Sequence, residues 1–320
     1  MEDIKVSVLC IAYNHENYIK SALESFVNQK TDFKFEVIVH DDCSTDNTAS
    51  IIKEYVAKYP DLIKPIYEEV NQYTKVNSII GDIMLPYVKG KYIAICEGDD
   101  YWIDENKLQI QYDYMENNPD CYCCSHSFVQ HNCQFNTDET VILSNDDRDF
   151  SLKEIVDGGG GLFATNSLMI KKEVKTTIPE IFNAKGFGDY QMPIYSAILG
   201  KVHYINKVMS QYNYMAINSW SARTTVDTNK LIASRQEVVN LLERIDRYYD
   251  YKYNADLIDR INATKLEILY IKEDYKSIKK SEFYKQHKDI FDKKRQRIIA
   301  IGGFSKPLLK WLLKVKSVFR

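Results

Sequence analysis

What the sequence lacks narrows its class before any motif is read. It has no basic excess: 42 lysines and arginines face 45 acids, a formal charge of −3. That balance excludes a chain whose surface as a whole is built to hold nucleic acid. It has no apolar run long enough to span a bilayer. It has no evenly spaced cysteine set. The seven cysteines are odd in number and scattered, which argues against a disulfide framework and for a reducing compartment. It has no leader pattern at its start, because Met1-Glu2-Asp3-Ile4-Lys5 is acidic and runs straight into a strand-like segment. Past Asp292 it has no acidic residue. What is there, 320 residues of which 45% are hydrophobic and 27% charged, suits one large domain or two modest ones.

The hydrophobic pattern alternates strand and helix. Residues 6–12 form a short β-branched apolar run and read as a buried strand. Residues 17–29 carry helical spacing, with Ile19, Leu23 and Phe26 on one face. A second strand is expected at 35–40, followed by a helix bearing Ile51, Ile52 and Val56 and capped by Ser44 or Thr45. A weaker strand at 62–67 contains Pro65 and belongs at a sheet edge. A helix near 75–88 and a strand at 91–96 complete the series. This alternation predicts an α/β fold with a mostly parallel sheet and helices on both faces. Residues 121–225 alternate strand-like runs with polar loops, and 226–292 form a charged, proline-free helical extension.

In such sheets ligands bind beyond the carboxyl ends of the strands. Two acidic clusters fall there: Asp41-Asp42 after the second strand, and Glu97-Gly98-Asp99-Asp100 after the fourth. Carboxylates gathered in a cleft repel one another, and a divalent cation relieves that repulsion. Mg²⁺ and Mn²⁺ take oxygen ligands, commonly one or two carboxylates together with substrate phosphates. Residues 97–102 therefore read as a metal–diphosphate site, with a plain acidic surface turn as the bland alternative.

Three segments now carry a family resemblance: Val6-Ser-Val-Leu-Cys-Ile-Ala-Tyr-Asn14, Glu36-Val-Ile-Val-His-Asp-Asp-Cys-Ser-Thr-Asp-Asn-Thr48 and Gly90-Lys-Tyr-Ile-Ala-Ile-Cys-Glu-Gly-Asp-Asp-Tyr-Trp102. Asn106-Lys-Leu-Gln-Ile-Gln111 continues the pattern. The chain resembles the family 2 glycosyltransferases of the GT-A fold, well from about 6 to 130 and more weakly to about 225. The resemblance implies that Ala12, Tyr13 and Asn14 line a nucleobase pocket, that Asp41 accepts a hydrogen bond from the base, and that Asp42 lies beside it. It implies that Asp99 binds the metal, with Glu97 facing the ribose or a metal-bound water. Glu97 stands where the family has an aspartate, a longer arm with the same charge. Asn14 and Thr45 read equally well as turn chemistry and capping. Lys75, two before Asn77, matches a basic position of the family or is a solvated helix charge.

An inverting transfer needs a base for the acceptor hydroxyl, on the face opposite the leaving group. The resemblance assigns it to Asp189 in Gly186-Phe187-Gly188-Asp189, where a helix N-cap is the alternative. Asp157-Gly158-Gly-Gly-Gly161 reads as a loop over the acceptor site or a flexible connection. The stretch Gln211-Tyr-Asn-Tyr-Met-Ala-Ile-Asn-Ser-Trp-Ser221 departs from the family at Asn213, usually arginine, and at Met215, usually histidine. Arg223 is a spatial substitute for the lost charge, and Trp220 a sugar platform or a core residue. Cys121, Cys123, Cys124 and Cys133 with His126 and His131 lack the spacing of a zinc finger and suit a buried strand.

From Pro307 onward Leu308, Trp311, Leu312, Val315 and Phe319 share one helical face, opposite Lys306, Lys310 and Lys314. A basic amphipathic tail of this kind suits an anionic membrane surface, or else docks on its own protein or a dimer partner. The expected organisation is a transferase domain over 1–225, a helical extension over 226–300 and a membrane-associating tail over 301–320. The expected activity is inverting, metal-dependent transfer from a nucleotide sugar, with uridine as the base, to a lipid-linked or growing surface glycan. The expected place is the cytoplasm, on the inner face of the plasma membrane. The rival is a catalytically inactive nucleotide-sugar-binding scaffold.

Overall fold

The computed structural model describes residues 3–183, 187–217 and 227–311. Gly186, Trp220, Arg223, Leu312, Lys314, Val315 and Phe319 lie outside the described residues. The chain divides into two compact units, Met1–Arg223 and Thr224–Arg320. No helix among the described residues is long and apolar enough to cross a membrane.

The first unit is built on a sheet whose strands run β1 (Ile4–Ala12), β2 (Lys34–Asp41), β3 (Ile63–Tyr67), β4 (Tyr92–Ile95), β5 (Tyr101–Trp102), β6 (Cys121–Asn132), β7 (Thr137–Val141), β8 (Arg148–Phe150), β9 (Met169–Lys171) and β10 (Lys201–Tyr214). Their spatial order is β3-β2-β1-β4-β9-β6-β10-β5, with β7 paired to β6 and β8 to β10. The four strands expected from the apolar runs all form, and β3, with its Pro65, is at the edge. Helices α1 (Ile19–Val27) and α2 (Thr48–Lys58) supply the crossovers that parallel pairing requires. Ile19, Ala22, Leu23 and Phe26 of α1 are buried at the spacing expected for one helical face. The central strands read as unbroken apolar runs because Val6, Val8, Leu9, Cys10, Val37, Ile38 and Val39 are all fully buried.

The expectation of a mostly parallel sheet is corrected. β1–β2, β2–β3, β1–β4 and β6–β10 are parallel, whereas β4–β9, β6–β9, β6–β7, β5–β10 and β8–β10 are antiparallel. The cause lies beyond β4, where crossovers give way to reversals. β6 turns into β7 through residues 133–136, closed by Asn136 at φ 51°. β9 enters between β4 and β6 against both.

Two local expectations also change. No α-helix fills 75–88; a π-helical turn, Ile79–Met84, leads into a 3₁₀ turn, Leu85–Tyr87. Gly81 and Pro86 both oppose an α-helix here. The Asp82 carboxylate instead fastens the start of the turn by accepting from the amides of Asn77 and Ser78 at 2.9 Å each. Ser44 and Thr45 do not cap α2, since the carboxylate of Asp46 accepts from Thr48 N at 2.9 Å. The remaining helices of this unit are α3 (Lys107–Asn117), α4 (Leu152–Gly158), α5 (Lys172–Thr177) and α6 (Gly188–Leu199).

The second unit is helical: α7 (Thr228–Tyr248), α8 (Asn254–Ile271), α9 (Tyr275–Lys280), α10 (Glu282–Gln286) and α11 (Lys293–Gly302). α7 and α8 pair through buried Val238, Leu242, Leu257 and Ile261 and through Arg235–Glu267 at 3.0 Å and Lys265–Glu243 at 2.7 Å. A second core gathers Leu266, Tyr275, Ile278, Tyr284, Phe291, Ile299 and Leu309. Leu309 thus points inward, while Phe304, Leu308 and Trp311 stay exposed.

Candidate active site

Parallel pairing of β1, β2 and β4 brings their carboxyl ends to one edge. Ala12 at the end of β1 is in register with Asp41 at the end of β2. The chain leaving β4 is tied to β1 by Cys96 N donating to Leu9 O at 3.1 Å and Gly98 N to Ile11 O at 2.9 Å. Both acidic clusters therefore lie on the edge where an α/β sheet binds ligands.

One side of the edge is made by the chain around Asp41. Asn14 takes the left-handed conformation, φ 56°, which asparagine tolerates better than most residues. Its Oδ1 accepts from Thr45 N at 2.8 Å, and its own amide donates to Ser44 Oγ at 2.9 Å. The turn-chemistry alternative for Asn14 and Thr45 thus describes these bonds. The two acids differ sharply. Asp42 is spent on structure: its amide donates to Ala12 O at 2.9 Å, and its two carboxylate oxygens accept from Gln72 N at 2.6 Å and Tyr73 N at 3.1 Å. Asp41 Oδ2 accepts from Ser44 N at 3.3 Å, but Asp41 Oδ1 is buried with no partner. A buried acceptor left unsatisfied costs about 1–3 kcal/mol. Tyr13 is half-buried, and Lys75 is exposed on the loop that Asp42 holds.

The other side is the acidic turn. Carboxylate oxygens of Glu97, Asp99 and Asp100 all lie within 4.8 Å of one another, and no other such group of metal-ligating side chains occurs among the described residues. Gly98 sits in tight packing: a Cβ there would lie 2.9 Å from Ile19 Cδ1 and 3.1 Å from Ala12 Cβ and His15 Nδ1. Asp99 faces His15, with Nε2 at 3.9 Å from Oδ2. Asp100 is buried, accepting from Asn213 N at 2.7 Å and Asn166 Nδ2 at 3.0 Å. Burial, and then the charge of Asp99 and Asp189, push Glu97 up to about 8. Burial, followed by Asp99 and Glu97, holds Asp100 well above the usual carboxylate range. A hard divalent ion suits such a set of oxygen donors, and its charge would answer this repulsion.

Asp189 belongs to the same field. It sits in the first turn of α6, whose cap residue is Phe187, so it is not the N-cap. Burial pushes it up to about 7, against the pull of its own amide and that of Tyr190. The glycine run crosses it: a Cβ on Gly160 would lie 3.3 Å from both Asp189 carboxylate oxygens. Any side chain at 160 would press on that carboxylate.

Asn166 carries no catalytic signature in sequence, yet it binds Asp100 from behind and is itself held by Ser210 and Gln211. Only the departure at Asn213 pointed here, since its Nδ2 donates to Asp99 O at 2.6 Å. Met215, the other departure, takes φ 62° just past β10. The cysteines are all free, and Cys121, Cys123 and Cys124 are buried in β6 as packing residues.

An α/β sheet flanked by helices, with a cluster of three carboxylates at the carboxyl ends of its parallel strands, is consistent with a GT-A-like nucleotide-sugar fold. The chain belongs to glycosyl transferase family 2, whose sequence profile matches residues 7–174. It is 45% identical over 121 residues to the uncharacterized protein Rv1520 of Mycobacterium tuberculosis, covering 38% of this chain and 34% of that one. It is 33% identical over 118 residues to the Escherichia coli UDP-Glc:alpha-D-GlcNAc-diphosphoundecaprenol beta-1,3-glucosyltransferase WfgD, covering 37% of this chain and 44% of that one. The matches thus span a third to under half of these relatives. Among solved structures, residues 1–349 of S. aureus TarS in complex with UDP-GlcNAc share the fold, with TM-score 0.58 and 16% identity over 92% of this chain and 90% of that one.

Proposed function

We propose that this chain transfers one sugar, with inversion, from a UDP-sugar to a hydroxyl of a growing or lipid-linked surface glycan. The observation that carries the reading is the meeting of Glu97, Asp99 and Asp100 at the end of β4 with Asp189 close enough to raise Glu97. In this reading Asp99 and Glu97 hold Mn²⁺ or Mg²⁺. The ion, when bound, neutralises charge gathering on the departing diphosphate. Asp41 offers its unpartnered oxygen to an N–H of the base, with Ala12 and Tyr13 alongside, and Asn14 and Asp42 keep that wall in shape. Gly98 lets the acidic turn approach the wall, and exposed Lys75 is a cation available to the diphosphate. Asp189 takes the proton from the acceptor hydroxyl, and a value near 7 is the range in which a general base works best.

The likeness to a UDP-GlcNAc-bound fold and to an enzyme acting on a diphosphoundecaprenol-linked sugar supports the choice of donor and acceptor class. The domain reading remains a transferase unit ending near 225, a helical extension to 300 and a tail over 301–320. The exposed Phe304, Leu308 and Trp311 beside Lys306 and Lys310 support a tail that rests on an anionic membrane, which would set the chain at the cytoplasmic face.

A thermal-shift panel of nucleotide sugars with and without Mn²⁺ tests the reading. A UDP-sugar should stabilise the wild type only with metal, and Asp99→Ala should abolish the shift. Absence of any shift in the folded wild type overturns it. Binding without transfer, in wild type and Asp189→Asn alike, selects the inactive scaffold.

A further inference from the structure

We propose that Asn166 is a positioning residue that sets the affinity of the acidic turn for its cation. This rests on the metal reading of Glu97 and Asp99. Asn166 is fully buried in a 3₁₀ turn, Thr165–Ser167, that leads into β9. Each polar atom of its side chain is engaged. Nδ2 donates to Asp100 Oδ2 at 3.0 Å and to Gln211 O at 2.9 Å, and Oδ1 accepts from Ser210 Oγ at 2.7 Å. Its carbonyl accepts from Trp102 Nε1 at 2.9 Å. The side chain therefore ties the residue after Asp99 to β10, and the backbone carbonyl adds Trp102 at the end of β5.

The turn carrying Asn166 is itself fixed. Gln111 Nε2 donates to Ser167 O at 2.9 Å and to Cys124 O at 3.0 Å, and Lys107 Nζ donates to Gln111 Oε1 at 2.7 Å. On the other side, Asn213 N takes Asp100 Oδ1 and its side chain takes Asp99 O. Both oxygens of Asp100 are consumed by this clamp. Asp100 is then a staple, and Asp99, whose carboxylate meets only His15 among the described residues at 3.9 Å, is the arm left to ligate. The clamp fixes the backbone from which that arm projects. Groups that orient ligating carboxylates typically alter metal affinity by about 10–100-fold when removed.

The chemistry requires an amide at this position. Asn166 must donate to two oxygens and accept from a hydroxyl at once, which neither aspartate, leucine nor serine reproduces.

The test is titration of the metal-free full chain with Mn²⁺, reading free ion by electron paramagnetic resonance, alongside melting curves in EDTA. Asn166→Ala should weaken Mn²⁺ binding about tenfold or more while the melted fraction at the assay temperature stays small. Asn166→Ser serves if the alanine variant does not fold, with the same expected loss. A merely structural role would lower the melting temperature and leave the affinity of the folded protein within about twofold; that result overturns the clamp and leaves the proposed function standing. A folded wild type that binds no Mn²⁺ overturns the metal reading and the clamp together.

Discussion

At about pH 8.5 in EDTA, replacing Glu97 by glutamine should raise the melting temperature. Burial and two neighbouring acids move Glu97 from 4.5 to about 8, which favours its neutral form in the folded state. A carboxyl raised in this way stabilises the fold below its unfolded value and loses that contribution as pH climbs through the folded one. At ~1.4 kcal/mol per pH unit the whole displacement corresponds to about 5 kcal/mol, a ceiling reached only with no relaxation and no water entering the site. A realised penalty of about 1–3 kcal/mol shifts the melting point of a domain this size by roughly 3–10 °C. Glutamine has the shape without the charge, so the variant should melt higher by that amount at pH 8.5 and equal the wild type at about pH 5. Saturating Mn²⁺ should reverse the order, because the cation stabilises the wild type by mass action and the variant lacks a ligand. Differential scanning calorimetry at the two pH values, with EDTA or Mn²⁺, reads all four cases. A variant that melts below wild type by the same margin at both pH values in EDTA would refute the repulsion argument.

Other perturbations separate the parts of the site. Asp41→Asn puts an amide where a buried carboxylate oxygen has no partner; on the proposed reading UDP affinity should fall about 5–10-fold while Mn²⁺ binding without nucleotide stays unchanged, both by calorimetric titration. Gly98→Ala forces a methyl group to within 2.9 Å of Ile19 Cδ1, so urea denaturation should show a loss of about 1–3 kcal/mol. Phe304→Glu with Trp311→Glu alters two exposed side chains; sedimentation with phosphatidylglycerol vesicles should drop several-fold and the melting temperature should hold, whereas unchanged sedimentation would remove the membrane role.

The parallel half of the sheet was legible because strands buried on both faces carry unbroken apolar runs, as in Val6-Ser-Val-Leu-Cys-Ile and Val37-Ile-Val. Its ligand edge followed, since parallel strands end together and acids stood at two of those ends. The antiparallel half was not legible. β9 has three residues, and its seat between β4 and β6 is set by pairing partners more than forty positions away. A hydroxyl ahead of a helix looks the same in sequence whether it faces that helix or Asn14, so Ser44 and Thr45 read as caps while the structure turns that segment to Asn14. Asn166 had no signature at all. An asparagine in a loop is usually turn chemistry, and only burial against Asp100 and Ser210 makes it a support.

The departure from the family pattern at Asn213 has an electrostatic consequence. Where the resemblance implies an arginine, Asn213 places a neutral amide 2.6 Å from the Asp99 carbonyl. Among the described residues no lysine or arginine is paired with Glu97, Asp99 or Asp100, and His15 at 3.9 Å from Asp99 is the nearest cationic candidate. Amides hold the Asp100 carboxylate and the Asp99 carbonyl, satisfying hydrogen bonds without cancelling charge. Burial is the main cause that raises Glu97, Asp100 and Asp189, and no paired lysine or arginine among the described residues offsets it. A bound divalent ion would lower all three at once, so metal entry and proton release are linked, and Mn²⁺ should bind more tightly as pH rises from about 6 to 8. Introducing the missing charge by Asn213→Arg should flatten that dependence, because a resident guanidinium depresses the same carboxylates before the metal arrives. A calorimetric titration in buffers of different ionisation enthalpy counts the protons released; an equal count in wild type and variant would show that the amides, and not the absent arginine, already set the charge of the site.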